Sequence, residues 1–332
     1  MFLTRLYYRF KPFIPKAART SIRRYYARRI LRRCSDVWPI NEAAGARPKG
    51  WPGWPEGKRF AFVLTHDVET RRGLDRVKQL AELEMSLGFR SSFNFIPEGD
   101  YEVPLELRSW LTERGFEVGV HDLHHDGKLY WSRASFQKKA KRINYYLKEW
   151  GGAGFRSAFM LRNLAWIQDL NIVYDASTFD TDPFEPQSDG AATIFPFWVP
   201  DSTRTPSQET QSHSTGSSRT RTGYVELPYT LAQDSTLFVI LQEKGIGIWR
   251  RKLDWIVEKG GMALLDTHPD YMNFEGDNRS SAFPSQRYRE FLIGIQSTHC
   301  GEFWHALPRE VATYYKQALQ KPPSARIREA HP

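Results

Sequence analysis

Hydrophobic and polar positions follow two alternating spacings along residues 59–310, which predicts strands and helices in turn. Short apolar runs of strand length, such as 60–64 and 262–267, are separated by segments with apolar residues every three or four positions. Gly88 follows one of the helical segments, as expected after a helix C-terminus. This strand–helix repeat with short connections predicts an α/β fold with a parallel sheet and helices outside it. The number of repeats favours a closed or partly closed (β/α) barrel.

The predicted elements divide into two sets. Strands are expected at 60–64, 91–96, 117–120, 154–159, 173–177 and 262–267, with further extended segments at 224–228 and 237–241. Helices are expected at 74–87, 105–112, 135–150, 161–170, 249–259 and 285–298. In barrels of this kind the chemistry lies at the C-terminal ends of the strands. Asp67, His121 and His268 all fall at such ends.

The segments that flank the barrel differ from it in composition. Of the 47 Lys and Arg residues, eleven lie in residues 1–34, which contain no acid; the rest of the chain has 36 against 38 Asp and Glu, a net charge of −2. The net charge of +9 is therefore local to this arm. Residues 38–58 are rich in Pro, Gly and Trp, which predicts a linker or a wrapped loop. Residues 201–223 offer no apolar side chain to bury, which predicts a disordered Ser/Thr-rich insertion. The expected division is an arm and linker at 1–58, a catalytic barrel at 59–310, and a C-terminal helix end and polar tail at 311–332.

The basic arm has the pattern of a short amphipathic helix. Ile22, Tyr26 and Ile30 fall four residues apart, and arginines occupy the other faces. Such a helix can lie on an anionic membrane surface, bind nucleic-acid phosphates, or pack on the domain with a solvated basic face. Among binding partners the membrane surface is favoured, and nucleic acid is not expected because no nucleic-acid-binding motif occurs elsewhere.

Composition and segment lengths point to a cytoplasmic protein. The chain of 332 residues is 40% apolar, which supports a substantial core. No apolar run approaches the roughly 18 residues of a membrane span. No signal peptide is seen, because basic residues interrupt every hydrophobic group near the N-terminus. Cys34 and Cys300 do not form a disulfide framework, which favours a reducing compartment. The arm adds the expectation of a peripheral position on the inner membrane face.

Two predicted strands end in groups that suit a metal site. The predicted strand at 60–64 continues into Asp67 and Glu69, whose side chains point to one face. His66 points to the other face and is expected to be structural. The predicted strand at 117–120 ends in His121, and His125 follows four residues later, so a helical turn there would bring both imidazoles to one cation. Two imidazoles with the Glu69 carboxylate form an open ligand set for Zn²⁺, or for Co²⁺, Ni²⁺ or Fe²⁺.

Three further positions extend this candidate site. His268 ends a late strand, where an imidazole can protonate a leaving amine; taken alone, it is as readily a structural histidine. Arg156 is placed to pair with Asp67, which would lower the pKa of that carboxyl, although a surface salt bridge is the competing interpretation. Asp175 and Asp180 are equal candidates for orienting His268, and the sequence does not decide between them.

Taken in order, these motifs resemble those of the polysaccharide deacetylases of carbohydrate esterase family 4, the NodB-homology domain. The resemblance covers about residues 59–310 and rests on Asp-x-Glu at 67–69, His-x-x-x-His at 121–125, Gly-Phe-Arg at 154–156 and Leu-Asp-Thr-His at 265–268. Two positions depart from the family pattern. Glu69 replaces the usual second Asp, with a Val inserted before it, and no Pro follows Arg156.

The resemblance implies a distorted (β/α) barrel of about seven parallel strands and a defined set of roles. The implied roles are a divalent metal held by Glu69, His121 and His125, a general base Asp67 oriented by Arg156, and a general acid His268. The implied reaction removes N-acetyl or O-acetyl groups from a polysaccharide or glycan precursor. Two alternatives stay open: a metal-dependent amidohydrolase acting on a small non-sugar amide, and a non-catalytic carbohydrate-binding relative, against which the complete residue set argues.

Overall fold

The fold is organised around one long strand that carries the first acidic motif. The computed structural model describes residues 16–201, 222–274 and 281–320. Strand β1, Phe60–Val68, is buried at every position. Its first half is apolar and packs in the core, and its second half brings Thr65, His66 and Asp67 to the C-terminal edge of the sheet.

The strands and helices alternate as the hydrophobic pattern predicts. After β1 the strands are β2 Ser92–Phe95, β3 Glu117–His121, β4 Gly154–Arg156, β5 Tyr174–Asp175, β6 Phe197–Pro200, β7 Gly223–Glu226, β8 Met262–Thr267, β9 Met272–Asn273, β10 Phe283–Pro284 and β11 Phe303–His305. The helices are α1 Lys16–Leu31, α2 Arg71–Ser86, α3 Leu105–Glu113, α4 Arg133–Trp150, α5 Leu164–Ile167, α6 Gly247–Lys259, α7 Ser285–Thr298 and α8 Pro308–Gln320.

The main sheet has nine strands and curls around β1. β1 pairs in parallel with β8 on one side and, on the other, with β11 along its first half and with β2 along its second half. From β2 the order continues β3, β4, β5, β7 and β6, and β6 runs antiparallel to β7. Parallel bridges between Phe179 and Tyr229 and between Leu231 and Leu265 carry the path from β5 towards β8. The predicted distorted (β/α) barrel of about seven parallel strands is confirmed.

The element boundaries agree best where the sequence pattern is strongest. β8 and α7 have the predicted bounds, 262–267 and 285–298. The strand expected at 237–241 is wrong, because this segment belongs to a single π-helical turn, Ser235–Ile240. Five of its six residues are buried, and a short apolar run that is buried all round has no periodicity to distinguish a strand from a helix.

The segments beside the predicted barrel pack against it. Trp38 and Trp54, from the predicted linker or loop, are buried, and the Trp54 indole donates a hydrogen bond to the carbonyl of Gly260 at 2.9 Å. The predicted boundary at 310 falls inside α8, whose Val311 and Ala312 are buried. The predicted disordered insertion lies outside the described residues from 202 to 221, and so does the predicted tail from 321.

The basic arm is helical over α1, and part of its apolar surface is exposed, although Leu31 packs against the core. Ala27 is buried against the domain, and the Arg24 guanidinium donates to the carbonyl of Val239 at 3.0 Å. Ile22, Tyr25 and Tyr26 are 50–58% exposed. Within the described ranges, no helix combines the length and the apolar character needed to cross a membrane.

Candidate active site

A cavity of about 320 Å³ lies at the C-terminal ends of β1, β3 and β8. Five of the six residues predicted for the site line it: Asp67, Glu69, His121, His125 and His268. The sixth, Arg156, is fully buried behind Asp67. The structure therefore gathers side chains that are up to 201 residues apart in the sequence, as expected for the edge of a parallel sheet.

The predicted metal ligands lie together, although the local backbone differs from the expectation. One ligand atom from each of Glu69, His121 and His125 lies within 4.8 Å of the others. The two imidazole rings are 5.1 Å apart, and Nε2 of His125 is 3.1 Å from Oε1 of Glu69. The helical turn expected after His121 is absent. Asp122 and His125 instead adopt left-handed conformations, with φ of 56° and 45°, and these turn the loop back towards the strand end.

The chemistry of this group fits a divalent cation. Nδ1 of His121 lies 3.2 Å from the carbonyl oxygen of Arg156. Because a carbonyl only accepts, Nδ1 carries the hydrogen and Nε2 presents a lone pair. Among the described residues this buried Nε2 atom has no hydrogen-bond partner, a costly arrangement unless an ion or ligand satisfies it. Burial lowers the pKa of His121 to about 4, so the ring is neutral and able to bind a metal.

Two residues that follow His268 position the carboxylate of Glu69. The Tyr271 hydroxyl donates to Oε2 of Glu69 at 2.8 Å. Asp270 accepts from the backbone N–H of Glu69 at 2.9 Å and from the Thr70 hydroxyl at 2.5 Å. Burial opposes ionisation of Glu69, but His125 and His268 outweigh it and hold the pKa well below its usual range. Glu69 is therefore an oriented anion.

Asp67 has a separate set of partners. The Asn94 amide donates to its Oδ1 at 3.0 Å, and Nη1 of Arg156 lies 3.6 Å from the same oxygen. Its Oδ2 is 3.5 Å from Nδ1 of His121. Burial opposes ionisation of Asp67, but His121, Arg156 and His268 outweigh it and keep its pKa below the usual value. An ionised carboxylate beside the ligand set is suited to accept a proton.

Arg156 serves two carboxylates rather than one. Its Nε donates to the carbonyl of Ala176 at 2.9 Å, and its Nη1 contacts Asp266 more closely than Asp67. Asp266 is opposite Thr65 in the β1–β8 register, which places its side chain beside β1. Burial raises the pKa of Asp266 to about 7 despite the adjacent guanidinium. The interpretation of Arg156 as part of a surface salt bridge is wrong, because the whole group is buried.

His268 is oriented by Asp234, and neither predicted candidate contacts it. Asp234 accepts from Nδ1 of His268 at 2.7 Å and from its backbone N–H at 2.9 Å. Asp175 instead accepts from the Ser177 hydroxyl at 2.7 Å, and Asp180 pairs with the buried Lys252 at 2.5 Å. Burial disfavours the imidazolium, but Asp234 outweighs it and raises the pKa of His268 well above the usual value.

Several site residues escaped the sequence analysis. Asp266 had a detectable signal, because it precedes His268 by two positions and so shares its strand face. Asn94 had a weaker one, as an amide inside a short buried strand. Asp234 lies 34 residues from His268 in a segment without periodicity, so nothing in the pattern indicated it. Tyr271 likewise acts only through a contact that the fold creates.

His66 occupies the opposite face of β1, as expected from strand alternation. Its ring lies 2.8 Å from the Thr267 hydroxyl and 2.7 Å from a carboxylate oxygen of Glu84. Both His66 and Glu84 are fully buried. These contacts join α2 to the sheet behind the site and leave His66 without access to the cavity.

Comparison with known proteins places the fold. No protein-family model and no curated protein matches this chain. It is similar in structure to a candidate polysaccharide deacetylase from Mycobacterium smegmatis, with a TM-score of 0.56 and 17% identity over 81% of this chain and 94% of that one. It is also similar to the peptidoglycan deacetylase PdaC from Bacillus subtilis, with a TM-score of 0.43 and 10% identity over 82% and 98% of the two chains. The first similarity shows that this chain has the fold of the polysaccharide deacetylases, as its motifs predict.

Proposed function

We propose that this protein is a metal-dependent hydrolase that removes acetyl groups from an acetylated carbohydrate. The observation that carries the proposal is that Glu69, His121 and His125 lie together in one cavity, with Asp67 and His268 beside them. Within this group Nε2 of His121 is buried and has no hydrogen-bond partner among the described residues. Imidazole and carboxylate ligands favour Zn²⁺, with Co²⁺, Ni²⁺ or Fe²⁺ as other candidates. The polysaccharide deacetylase fold supports the choice of substrate class.

The residues divide the reaction between a base and an acid. When bound, a divalent cation supplies Lewis acidity at the acyl oxygen and lowers the pKa of water. Asp67, oriented by Asn94 and Arg156, accepts the proton of the attacking water. Because Asp67 is not one of the proposed metal ligands, its negative charge is available to take up that proton, and the carboxylate becomes a neutral acid.

His268 completes the reaction on the leaving-group side. Asp234 binds Nδ1 and keeps the ring protonated, so Nε2 has a proton to donate. Transfer of that proton to the departing nitrogen breaks the C–N bond and releases acetate and a free amine. Asp234 thus acts through His268 as a positioning residue, while His268 is the catalytic acid.

The test is acetate release before and after metal removal. We expect purified protein to release acetate from N-acetylglucosamine oligomers, to lose this activity after treatment with EDTA, and to regain it with Zn²⁺, Co²⁺ or Ni²⁺. Full activity of stripped protein, checked for residual metal, would sink the proposal. Turnover of cyclic ureides or small amides in place of the oligomers would favour the amidohydrolase alternative.

We also propose that the outward face of α1 binds an anionic membrane surface. The support is the orientation of the helix: Tyr25 and Tyr26 point away from the domain, and the Arg29 guanidinium lies 4.7 Å from the Tyr25 ring centroid. Aromatic rings next to cationic side chains are suited to the headgroup region of anionic lipids.

A further inference from the structure

Helix α1 forms part of the wall of the catalytic cavity. Thr20 and Arg23 line the cavity together with the strand-end residues. The helix is attached to the π-helical turn Ser235–Ile240 through the bond from Arg24 to the carbonyl of Val239. Val239 and Ile240 of that turn line the same cavity. The sequence assigns α1 to a separate arm. In the structure α1 and the π-helical turn together form part of the wall of the cavity.

Another part of the wall comes from the loops that follow β4 and β5. Phe159, Met160 and Glu185 line it. Phe159 and Met160 have left-handed backbone conformations, with φ of 56° and 50°, which non-glycine residues adopt only when surrounding contacts impose them. The ring of Phe159 packs 4.3 Å from that of His125, which ties this wall to the ligand group. The wall of the cavity thus includes α1, the π-helical turn and these two loops, together with the proposed catalytic residues.

Two polar side chains in these walls have no part in the acid–base chemistry. Arg23 is exposed at the mouth of the cavity, and Glu185 is half-buried within it. Glu185 lies near Asp182, which accepts from the Tyr229 hydroxyl at 2.8 Å, while the same hydroxyl is 3.4 Å from Glu185. Burial and the adjacent Asp182 raise the pKa of Glu185 to about 8, so at neutral pH its carboxyl group can donate as well as accept.

We propose that α1 converts the catalytic cleft into an end-on pocket that takes one terminal acetamido sugar, with Arg23 and Glu185 as the residues that hydrogen-bond to its hydroxyl groups. This inference rests on the proposed deacetylase function. An internal residue of a long glycan needs a cleft that is open at both ends, whereas here α1 and the π-helical turn add side chains to the wall beside those of the strand ends and of the β4 and β5 loops. A volume of about 320 Å³ is at the lower end of the range of roughly 300–1,000 Å³ for small-molecule sites.

The first experiment measures how activity depends on chain length. Zinc-loaded full-length protein is given N-acetylglucosamine oligomers of one to six units, and the position of the free amine is mapped by mass spectrometry. We expect kcat/KM to stop rising beyond the first two units and the free amine to appear at a chain end. Deacetylation of internal residues, or a kcat/KM that rises with each added unit, would overturn the end-on pocket.

The second experiment is a binding measurement that does not depend on turnover. Arg23→Ala and Arg28→Ala are each introduced into the Asp67→Asn variant, and binding of N-acetylglucosamine and its dimer is measured by calorimetric titration. Arg28→Ala is the control, because Arg28 is an exposed arginine of the same helix that does not line the cavity. We expect Arg23→Ala to raise Kd about ten-fold, the change that follows from loss of one good hydrogen bond, and Arg28→Ala to leave it unchanged.

The matched pair at Glu185 separates recognition from packing. Glu185→Ala should weaken binding by a similar factor, while Glu185→Gln, which keeps a donor and an acceptor, should restore most of it. Equal Kd values for Arg23→Ala and Arg28→Ala, or for the two Glu185 variants, would overturn the assignment. If these variants bind sugar as expected but the wild-type protein releases acetate from none of the substrates, the deacetylase proposal fails while the sugar pocket stands.

Discussion

Asp67 and Glu69 are two positions apart on one strand face, yet their partners give them different chemistry. Glu69 lies 3.1 Å from His125 and accepts from Tyr271, so it belongs to the ligand group. Asp67 accepts from Asn94 and lies near Arg156, so its charge is available for a proton. Strand alternation predicts that the two carboxylates share a face, and their neighbours are the reason why the ligand role is proposed for Glu69 and the base role for Asp67.

Replacement of the proposed base should separate metal binding from turnover. Asp67→Asn is expected to lower kcat by about 10²–10⁴-fold, the usual contribution of a general base, while bound zinc measured by mass spectrometry stays near one per chain. Glu69→Gln, the matched change two positions later, is expected to lose zinc. A near-normal kcat for Asp67→Asn would rule out its role as base.

Loss of the Asp234 carboxylate should impair only substrates that need an acid. Asp234→Asn removes the group that keeps His268 protonated, so we expect kcat for an N-acetyl sugar to fall by about 10²-fold or more. An activated aryl acetate, whose leaving group needs no proton, should retain most of its rate. Asp175→Asn is the control, because Asp175 does not contact His268 and should not change the ratio of the two rates. Equal losses on both substrates would contradict the acid assignment.

The hydroxyl of Tyr271 should contribute to metal affinity through Glu69. Tyr271→Phe removes the 2.8 Å bond to the carboxylate, and loss of such a supporting contact typically lowers metal affinity by about 10–100-fold. Competition with a chelator of known zinc affinity measures this directly. Tyr288→Phe is the control, since that hydroxyl donates to Glu84 behind the sheet. The same zinc affinity in both variants would show that Tyr271 does not position the ligand.

At the scale of elements, α1 combines two surfaces with different tasks. One face, through Arg24 and Ala27, packs on the domain, and the other presents Tyr25 and Tyr26 to solvent. A sequence pattern of apolar residues four apart predicts a helix, but it does not state what the apolar face meets. Here Ile22, Tyr25 and Tyr26 are exposed, and the bond from Arg24 to the carbonyl of Val239 attaches another side of the helix to the π-helical turn.

The outward face of α1 should control binding to lipid. Full-length protein is expected to sediment with vesicles that contain phosphatidylserine and not with purely zwitterionic vesicles, and the bound fraction should fall as salt rises. Replacing Tyr25 and Tyr26 with serine should reduce binding several-fold. Tyr145→Ser is the control, because Tyr145 is 62% exposed but lies on α4. Equal binding to the two vesicle types would remove the membrane proposal.

At the scale of the molecule, buried carboxylates differ in ionisation according to their partners. At the end that holds the candidate site, histidines and Arg156 keep Asp67 and Glu69 ionised. At the other end, Glu117 is buried and accepts from the Tyr174 hydroxyl at 2.8 Å, and burial raises its pKa to about 7. The charge of the neighbouring side chains, together with burial, thus decides whether a buried carboxyl group is ionised.

The burial of Glu117 predicts that the free energy of unfolding depends on pH. Because folded Glu117 holds its proton more tightly than the unfolded chain does, its contribution is complete below the ordinary glutamate pKa and is lost as pH rises through about 7. Glu117→Gln removes the ionisation, so we expect its free energy of unfolding relative to wild type to increase between pH 5 and pH 8. Urea denaturation at both pH values measures this difference. The same difference at the two pH values would contradict the assignment.

Periodicity and strand order account for the features that the sequence by itself determined. The alternation of strands and helices, the bounds of β8 and α7, and the strand-end positions of Asp67, His121 and His268 follow from local pattern. In a parallel sheet the C-terminal ends of strands share one edge, so residues at those ends meet whatever the exact geometry. This is why the candidate site was predictable without coordinates.

Only the tertiary structure decided which groups support that site. Asp234 reaches His268, Asp266 reaches Arg156, and Tyr271 reaches Glu69 across 34, 110 and 202 residues of chain. The same holds for α1, which the sequence separates from the barrel and the fold places in the cavity wall. Contacts of this kind depend on the path that loops and turns take in the folded chain. Neither hydrophobic periodicity nor residue spacing specifies that path.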